Sequence, residues 1–389
     1  MKKTLDYLFI IRGLPYNTKN GAVNKLIYNI AKFMLKSGYT IAILSLTDPL
    51  QDFDKIYNTS LSNKLNIKLG LIYYVNNNVI LGKFLKFVLK YLMHSKLKKI
   101  EIYSNLQVLN KINFTNVITP YWWGVLFASR YLNKNNIYYI IYHNYASSDA
   151  INSEFESDLA NAEIARKFIL KSYKLANKIA GSKNILLEFP EENIPILREG
   201  IDILKYDARI DPKSREKFTI IMPLRSQEMK GAIYALKAAI LIHEKYNDIH
   251  FETFGNYTGD VPEFIIHHGR ISNKKLVELY GKGKIFILPS IEEGLSEVLL
   301  EAMLNGNAIV STEAGDSKYI IKNFYNGILV PVKDEVSIFD SVSYLYTHND
   351  ILLKLAYNAI STAKGYDLHS TETDIISALN HYKNLNIRK

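Results

Sequence analysis

Two carboxylates, Glu293 and Glu301, flank an expected helix start in the stretch Leu288–Gly306, LPSIEEGLSEVLLEAMLNG. An apolar strand should end at Pro289, followed by a short loop with Glu292, Glu293 and Gly294. A helix is expected from Ser296, a residue type that caps helix N-termini. First-turn amides lack intrahelical partners and carry the positive end of the macrodipole, so this place suits a diphosphate. Gly294 lets the backbone come close to a ligand. Full helical spacing would separate the two acids by roughly 12 Å along the axis. They are therefore expected to serve different parts of one ligand, and not to share a proton. A lone Glu would read as a solvated or capping charge. Here strand, glycine loop, helix and two acids coincide.

The elements around this stretch alternate apolar β-rich runs with helical patterns, as in α/β folds with parallel sheets. Leu8–Ile11 reads as a strand, followed by a loop with Gly13, Pro15, Asn17 and Gly21. Ala22–Ser37 has helical spacing in Leu26, Ile30, Phe33 and Met34, and Gly38 can close it. Ile41–Leu46, Val117–Thr119, Tyr138–Tyr142 and Lys178–Gly181 are further strands. A second set follows: strands Phe218–Pro223, His250–Phe254, Ile285–Pro289 and Ala308–Ser311, with helices Ala232–Tyr246, Ser272–Gly281 and Ser296–Leu304. The alternation thus occurs twice, with a break near Ile201–Pro212. Two doubly wound domains facing a cleft are expected, with ligands at the carboxyl ends of the strands.

Composition permits this: of 389 residues, 48% are hydrophobic and 22% charged, enough for a sizeable core. With no cysteine, neither a disulfide framework nor a Cys-based zinc site can form, which fits a reducing cytoplasm. The net charge of +10 favours anionic partners without choosing among them. The start MKKTLDYLFIIRGLP reads as a buried first strand, because Asp6 and Arg12 cut short any signal-peptide core. No apolar run approaches the ~18 residues of a membrane span.

The pattern Glu293, seven intervening residues, Glu301 in EGLSEVLLEAM resembles the signature of glycosyltransferase family 4, retaining enzymes of the GT-B fold. The resemblance implies that Glu293 contacts donor-sugar hydroxyls and that Glu301 binds the nucleotide ribose. The backbone of Gly294, Leu295 and Ser296 would hold the phosphates. Upstream, Pro223–Gly231 (PLRSQEMKG) is similar to the family segment whose Arg and Lys neutralise the diphosphate, here Arg225 and Lys230. Fixed cations aimed at a departing nucleoside diphosphate stabilise its growing charge. Arg suits forked phosphate contacts, and Lys acts as a point charge. Further matches are REGID at Arg198–Asp202 and NGILVP at Asn326–Pro331. Gly21 stands where the family keeps a glycine loop near the donor. His143 stands where a family histidine faces the donor sugar, although a lone His at a strand end also fits a structural role. Donor-base contacts are expected near Arg270 and Ile271.

The resemblance covers nearly the whole chain, most strongly residues 218–331. It implies a GT-B fold of two Rossmann-like domains, an acceptor domain over 1–200 and a donor domain over 201–365. A last helix, Tyr366–Leu385, would cross back so that 366–389 rejoin the first domain. The implied reaction is retaining transfer from a nucleotide-sugar, a UDP-sugar being favoured, to a glycan, lipid-linked or protein acceptor. The synthesis of cell-surface polysaccharide or glycoconjugate is the expected setting. The acceptor would attack on the leaving-group face with the leaving phosphate as base. No Asp-x-Asp motif has strand context, so neither metal nor cofactor is expected, and nucleic acid is not an expected partner. Two departures stand out: Asn20 where the family often has a first glycine, and Tyr319 where it often has Glu. These keep a non-catalytic GT-B subunit open as an alternative. A nicotinamide-dependent dehydrogenase is disfavoured, because Gly13 and Gly21 lie too far apart for Gly-x-Gly-x-x-Gly.

Leu81–Ile100, LGKFLKFVLKYLMHSKLKKI, contains no acidic residue. On a helical wheel Lys83, Lys86 and Lys90 cluster with His94, beside an apolar face of Phe84, Val88, Tyr91 and Leu92. Such a helix can lie on anionic lipid. It can equally be an ordinary helix with a solvated lysine face. The first reading places the protein in the cytoplasm, peripheral on the inner membrane face.

Overall fold

In a computed structural model, residues 3–11, 21–45, 112–121, 136–141 and, apart from a few scattered positions, 169–387 are described, with the short stretches 124–125 and 128–129. The chain divides into two units. The first comprises Met1–Ala180, Glu188–Leu197 and Ile375–Lys389, and the second Gly181–Leu187 and Arg198–Asp374.

The first unit is built on a parallel five-stranded sheet of order β2-β1-β3-β4-β5. The strands are β1 (Lys3–Ile11), β2 (Ile41–Ser45), β3 (Ile112–Thr119), β4 (Ile137–Ile141) and β5 (Asn177–Ala180). Tyr7 through Ile10 are all buried, and so is every residue of β4. Such unbroken apolar runs belong to parallel strands covered on both faces. Helix α1 (Gly21–Lys36) buries Ile27, Ile30, Ala31 and Met34, one stripe at helical spacing. It closes at Gly38, where φ is +92°. Ile375, Ala378 and Leu379 join the same core, and the Tyr382 hydroxyl donates to the Lys178 carbonyl.

The second unit contains a parallel six-stranded sheet of order β11-β10-β9-β6-β7-β8. Its strands are β6 (Thr219–Pro223), β7 (His250–Phe254), β8 (Ile265–His267), β9 (Ile285–Leu288), β10 (Ala308–Thr312) and β11 (Ile328–Val330). The three-residue edge strands β8 and β11 lie outside the strands expected from periodicity. Two short helices, α2 (Lys183–Leu186) and α3 (Ile203–Tyr206), precede the sheet. The main helices are α4 (Ala232–Lys245), α5 (Asn273–Lys282), α6 (Glu297–Leu304), the short α7 (Ser317–Ile320), α8 (Glu335–Thr347) and α9 (Asn349–Lys364). Ser272 caps α5, its hydroxyl accepting the Lys275 amide at 3.3 Å. The final helix α10 runs Leu368–Ile387, with its first turns counted in the second unit and the rest in the first.

A buried cation organises the far ends of two helices. The Arg215 guanidinium donates to the carbonyls of Gly283, at the C-cap of α5, and Asn305, at the C-cap of α6. It also reaches the Gly306 carbonyl at 2.8 Å. Helix C-termini expose unpaired carbonyls and a negative dipole end, which a cation satisfies. Burial pushes this guanidinium down to about 10, so it remains charged at neutral pH.

Candidate active site

Strands β6 and β9 are hydrogen-bonded neighbours, so the loops that leave their carboxyl ends adjoin. The β6 loop carries exposed Arg225, then a 3₁₀ turn Glu228–Lys230, then Gly231 at φ +64° as the residue that opens α4. The β9 loop carries Ser290 through Ser296 and leads into α6. Backbone bonds join the two: the amides of Ile291 and Glu292 donate to the Met229 carbonyl at 2.8 and 3.2 Å. Gly231 sits so close that a Cβ there would lie 1.9 Å from the Pro289 carbonyl oxygen.

This stitching brings Lys230 onto Glu293. The Lys230 ammonium donates to both carboxylate oxygens at 2.8 Å, and the Ser290 hydroxyl adds a bond of 3.1 Å. The pair is mostly shielded, with side-chain exposures of 25% for Lys230 and 13% for Glu293. The β10 loop supports it from behind. Gly315, at φ +56°, packs where a Cβ would meet the Glu293 carbonyl oxygen at 2.1 Å, and the Asp316 amide donates to Gly294 at 3.0 Å. The buried Asp316 carboxylate accepts the Lys183 and Asn184 amides at 3.0 and 3.1 Å, tying α2 to this loop. Its carboxyl is raised above the usual range, chiefly by burial.

Glu301 faces a different partner. It is buried in α6 and accepts the phenol of the fully buried Tyr280 at 3.1 Å. Burial, and then the neighbouring carboxylate, push the Tyr280 phenol far above its ordinary value, and the Arg225 charge acts in the opposite sense. The two glutamates therefore lie in separate environments, one with a cation and one with a phenol. Ser296 holds the N-cap position by its backbone, but its side chain makes no capping bond, contrary to the expectation from its type. The amides of Gly294, Leu295 and Ser296 donate to no backbone carbonyl among the described residues. Ile271 is partly buried against the core beneath α5. Tyr319 is exposed in α7, with the Lys183 and Lys318 ammoniums 5.8 and 5.2 Å from its ring centre.

The structure thus gathers Arg225, Lys230, Glu293, Gly294, Leu295, Ser296 and Glu301 at the carboxyl ends of β6 and β9 or on the helix that follows. Gly21 is the first residue of α1 in the other unit. Asn20, His143 and Leu81–Ile100 lie outside the described residues. Sequence reasoning missed Tyr280 and Ser290, and met Gly315 and Asp316 only as the stretch leading to Tyr319.

Comparison with known proteins bears on this arrangement. Residues 217–348 match the family Glycosyl transferases group 1. Across 99% of the chain the fold superposes on all of the sucrose-phosphate synthase of Thermosynechococcus elongatus, with TM-score 0.70 and 12% identity. This is a GT-B fold. HepE of Anabaena, solved in complex with UDP-glucose, shares the GT-B fold over 97% of this chain and all of its own, with TM-score 0.69 and 15% identity. In sequence, the chain is 26% identical over 212 residues to the N,N'-diacetylbacillosaminyl-diphospho-undecaprenol alpha-1,3-N-acetylgalactosaminyltransferase of Campylobacter jejuni. That match covers 54% of each protein, so the GT-B chain spans about half the length of this curated relative. The group 1 match contains every candidate residue of the second unit.

Proposed function

We propose that this protein transfers a glycosyl group, with retention and without a metal, from a nucleotide diphosphate-sugar to an acceptor. The observation that carries the reading is the Lys230–Glu293 pair, held at 2.8 Å beside the N-terminus of α6. A cation, a carboxylate and amides that donate to no backbone carbonyl stand together there, a set of groups that suits a sugar diphosphate. A UDP-sugar is the favoured donor, in keeping with the UDP-glucose held by HepE. The acceptor fits the lipid-linked class, as the name of the Campylobacter relative indicates for that enzyme, within glycan synthesis.

In this mechanism the bond from the anomeric carbon to the diphosphate oxygen breaks as the acceptor oxygen bonds on the same face. The acceptor proton passes to the leaving phosphate. Arg225, Lys230 and the amides of Gly294–Ser296 offset the charge that gathers on the leaving group. Glu293 accepts donor-sugar hydroxyls, and Glu301 accepts a ribose hydroxyl. Glu293→Gln is then expected to lower turnover while nucleoside diphosphate affinity stays near that of the wild type. Glu301→Ala should weaken nucleotide affinity itself by about tenfold or more, the effect of losing one hydrogen bond to a charged group. Calorimetry with nucleoside diphosphate on both variants checks this. Equal affinity losses would mean that the two roles are wrongly divided.

Among the described residues no cluster of His, Asp and Glu is placed to hold a metal. With Arg225 and Lys230 as the phosphate cations, full activity is expected in excess chelator. Loss of activity in EDTA, restored by magnesium or manganese, would reassign the charge stabilisation to an ion.

Among the described residues no helix is long and apolar enough to cross a membrane. A lipid-linked acceptor then calls for peripheral attachment in the cytoplasm, for which the basic segment Leu81–Ile100 is one candidate.

A further inference from the structure

The loop between α7 and β11 presents aromatic side chains to solvent from a firmly built frame. Asn326 is buried, its side chain accepting the Lys322 amide at 2.7 Å and donating to the Ile320 carbonyl at 3.0 Å and the Thr362 hydroxyl at 2.9 Å. The Asn323 side chain accepts the Leu329 amide at 3.1 Å, and the Phe324 amide donates to the Gly327 carbonyl at 2.9 Å. On this frame Phe324 takes φ +56° and is 53% exposed, and Tyr325 is 48% exposed. A left-handed conformation is unfavourable for a bulky side chain and open to glycine. The fold therefore holds an exposed phenylalanine in a backbone state that a smaller residue would occupy more easily. Strain of this kind gathers at functional positions.

The surroundings are basic. The Lys322 ammonium lies 5.8 Å from the Tyr325 ring centre, and Lys318 flanks Tyr319. Neither lysine is in a salt bridge among the described residues. The nearby carboxylate of Asp316 is buried and accepts two amides, and the Lys183 and Lys318 charges act on it without a direct ion pair. Phe324 meets exposed Tyr344 edge-on at 5.9 Å, extending the aromatic surface. Asp340, one helical turn before Tyr344, bounds the basic surface on that side. Amphipathic aromatics beside lysines are the composition that partitions into the headgroup layer of an anionic bilayer.

We propose that the loop Lys322–Gly327 is a membrane-docking element. Phe324 and Tyr325 enter the headgroup layer of an anionic bilayer, and Lys318 and Lys322 engage lipid phosphates. This rests on the reading of a lipid-linked acceptor, yet it is measured without any transfer assay. The full chain is sedimented with vesicles of phosphatidylcholine alone and of phosphatidylcholine mixed with phosphatidylglycerol. The wild type should bind only the mixed vesicles, less so as salt rises. Phe324→Gly combined with Tyr325→Ser should weaken that binding roughly tenfold, or about 1.4 kcal/mol. Its melting temperature should be equal or higher, because glycine takes this φ freely. Lys318→Glu with Lys322→Glu should abolish the preference for anionic lipid. Turnover on a water-soluble acceptor reads the proposed reaction separately and should be unchanged in the aromatic variant. The inference is overturned if the wild type ignores anionic vesicles or if the loop variants bind as it does. It falls equally if only Lys83→Glu, Lys86→Glu and Lys90→Glu release the protein, or if the aromatic variant instead dissolves a dimer of this chain.

Discussion

Lys230→Ala is expected to lower kcat by on the order of a hundredfold, the usual loss when one preorganised charge partner of a transition state is removed. Arg225→Ala should fall in the same range. The two differ in what they leave behind. Lys230 grips both oxygens of Glu293, so its removal leaves that carboxylate with the Ser290 hydroxyl alone among the contacts described above. Arg225 is exposed and acts electrostatically toward Tyr280, the phenol bonded to Glu301. A double-mutant cycle of Lys230→Ala with Glu293→Gln should therefore show coupling of about 0.5–3 kcal/mol, whereas residues without shared partners add nearly independently. Steady-state kinetics on variants with native melting behaviour provide the measurement. Wild-type turnover in Lys230→Ala would remove the leaving-group role from this residue.

Gly231→Ala should destabilise the second unit by about 2–5 kcal/mol. Roughly 1–2 kcal/mol comes from forcing an L-residue into the left-handed region, and about 1–3 kcal/mol from overpacking. The overpacking is specific: the added methyl would lie 1.9 Å from the Pro289 carbonyl oxygen, and backbone has to move to make room. That movement would separate the β6 and β9 loops and shift Lys230 from Glu293, so activity should fall together with stability. Chemical denaturation monitored by circular dichroism measures the first effect. An alanine variant as stable as the wild type would mean that the two loops are less closely joined than described.

The elements that frame the site were legible because their signals are local. Strand β9 is a continuous apolar run, α6 has unbroken helical residues after a glycine loop, and His250–Phe254 matches its strand to the residue. Glu293 and Glu301 were found because one element boundary holds both. Tyr280 was not, since its bond to Glu301 joins residues that are neighbours only once α5 and α6 pack together. The sequence does not mark Gly315 as a neighbour of Glu293, and that close approach exists only after β9 and β10 pair. Ser296 was misjudged in one respect. Capping preference belongs to residue type, but here the backbone holds the cap position while the side chain is buried without a capping bond. The short strands β8 and β11 lack the length that periodicity needs.

Arg215 bears on where the second unit of this protein can be cut. The group 1 match spans 217–348, and a fragment trimmed to those bounds would begin two residues after this arginine and end before α9. It would keep Arg225, Lys230, Glu293 and Glu301 and lose the cation that terminates α5 and α6 from the opposite end. It would also lose Leu352, Leu355, Ala359 and Ala363, which complete the apolar interior around the sheet. Exchange of this unit between related chains, whether by recombination or at the bench, therefore has a natural seam upstream of Arg215, so that one inherited segment brings its own helix terminator.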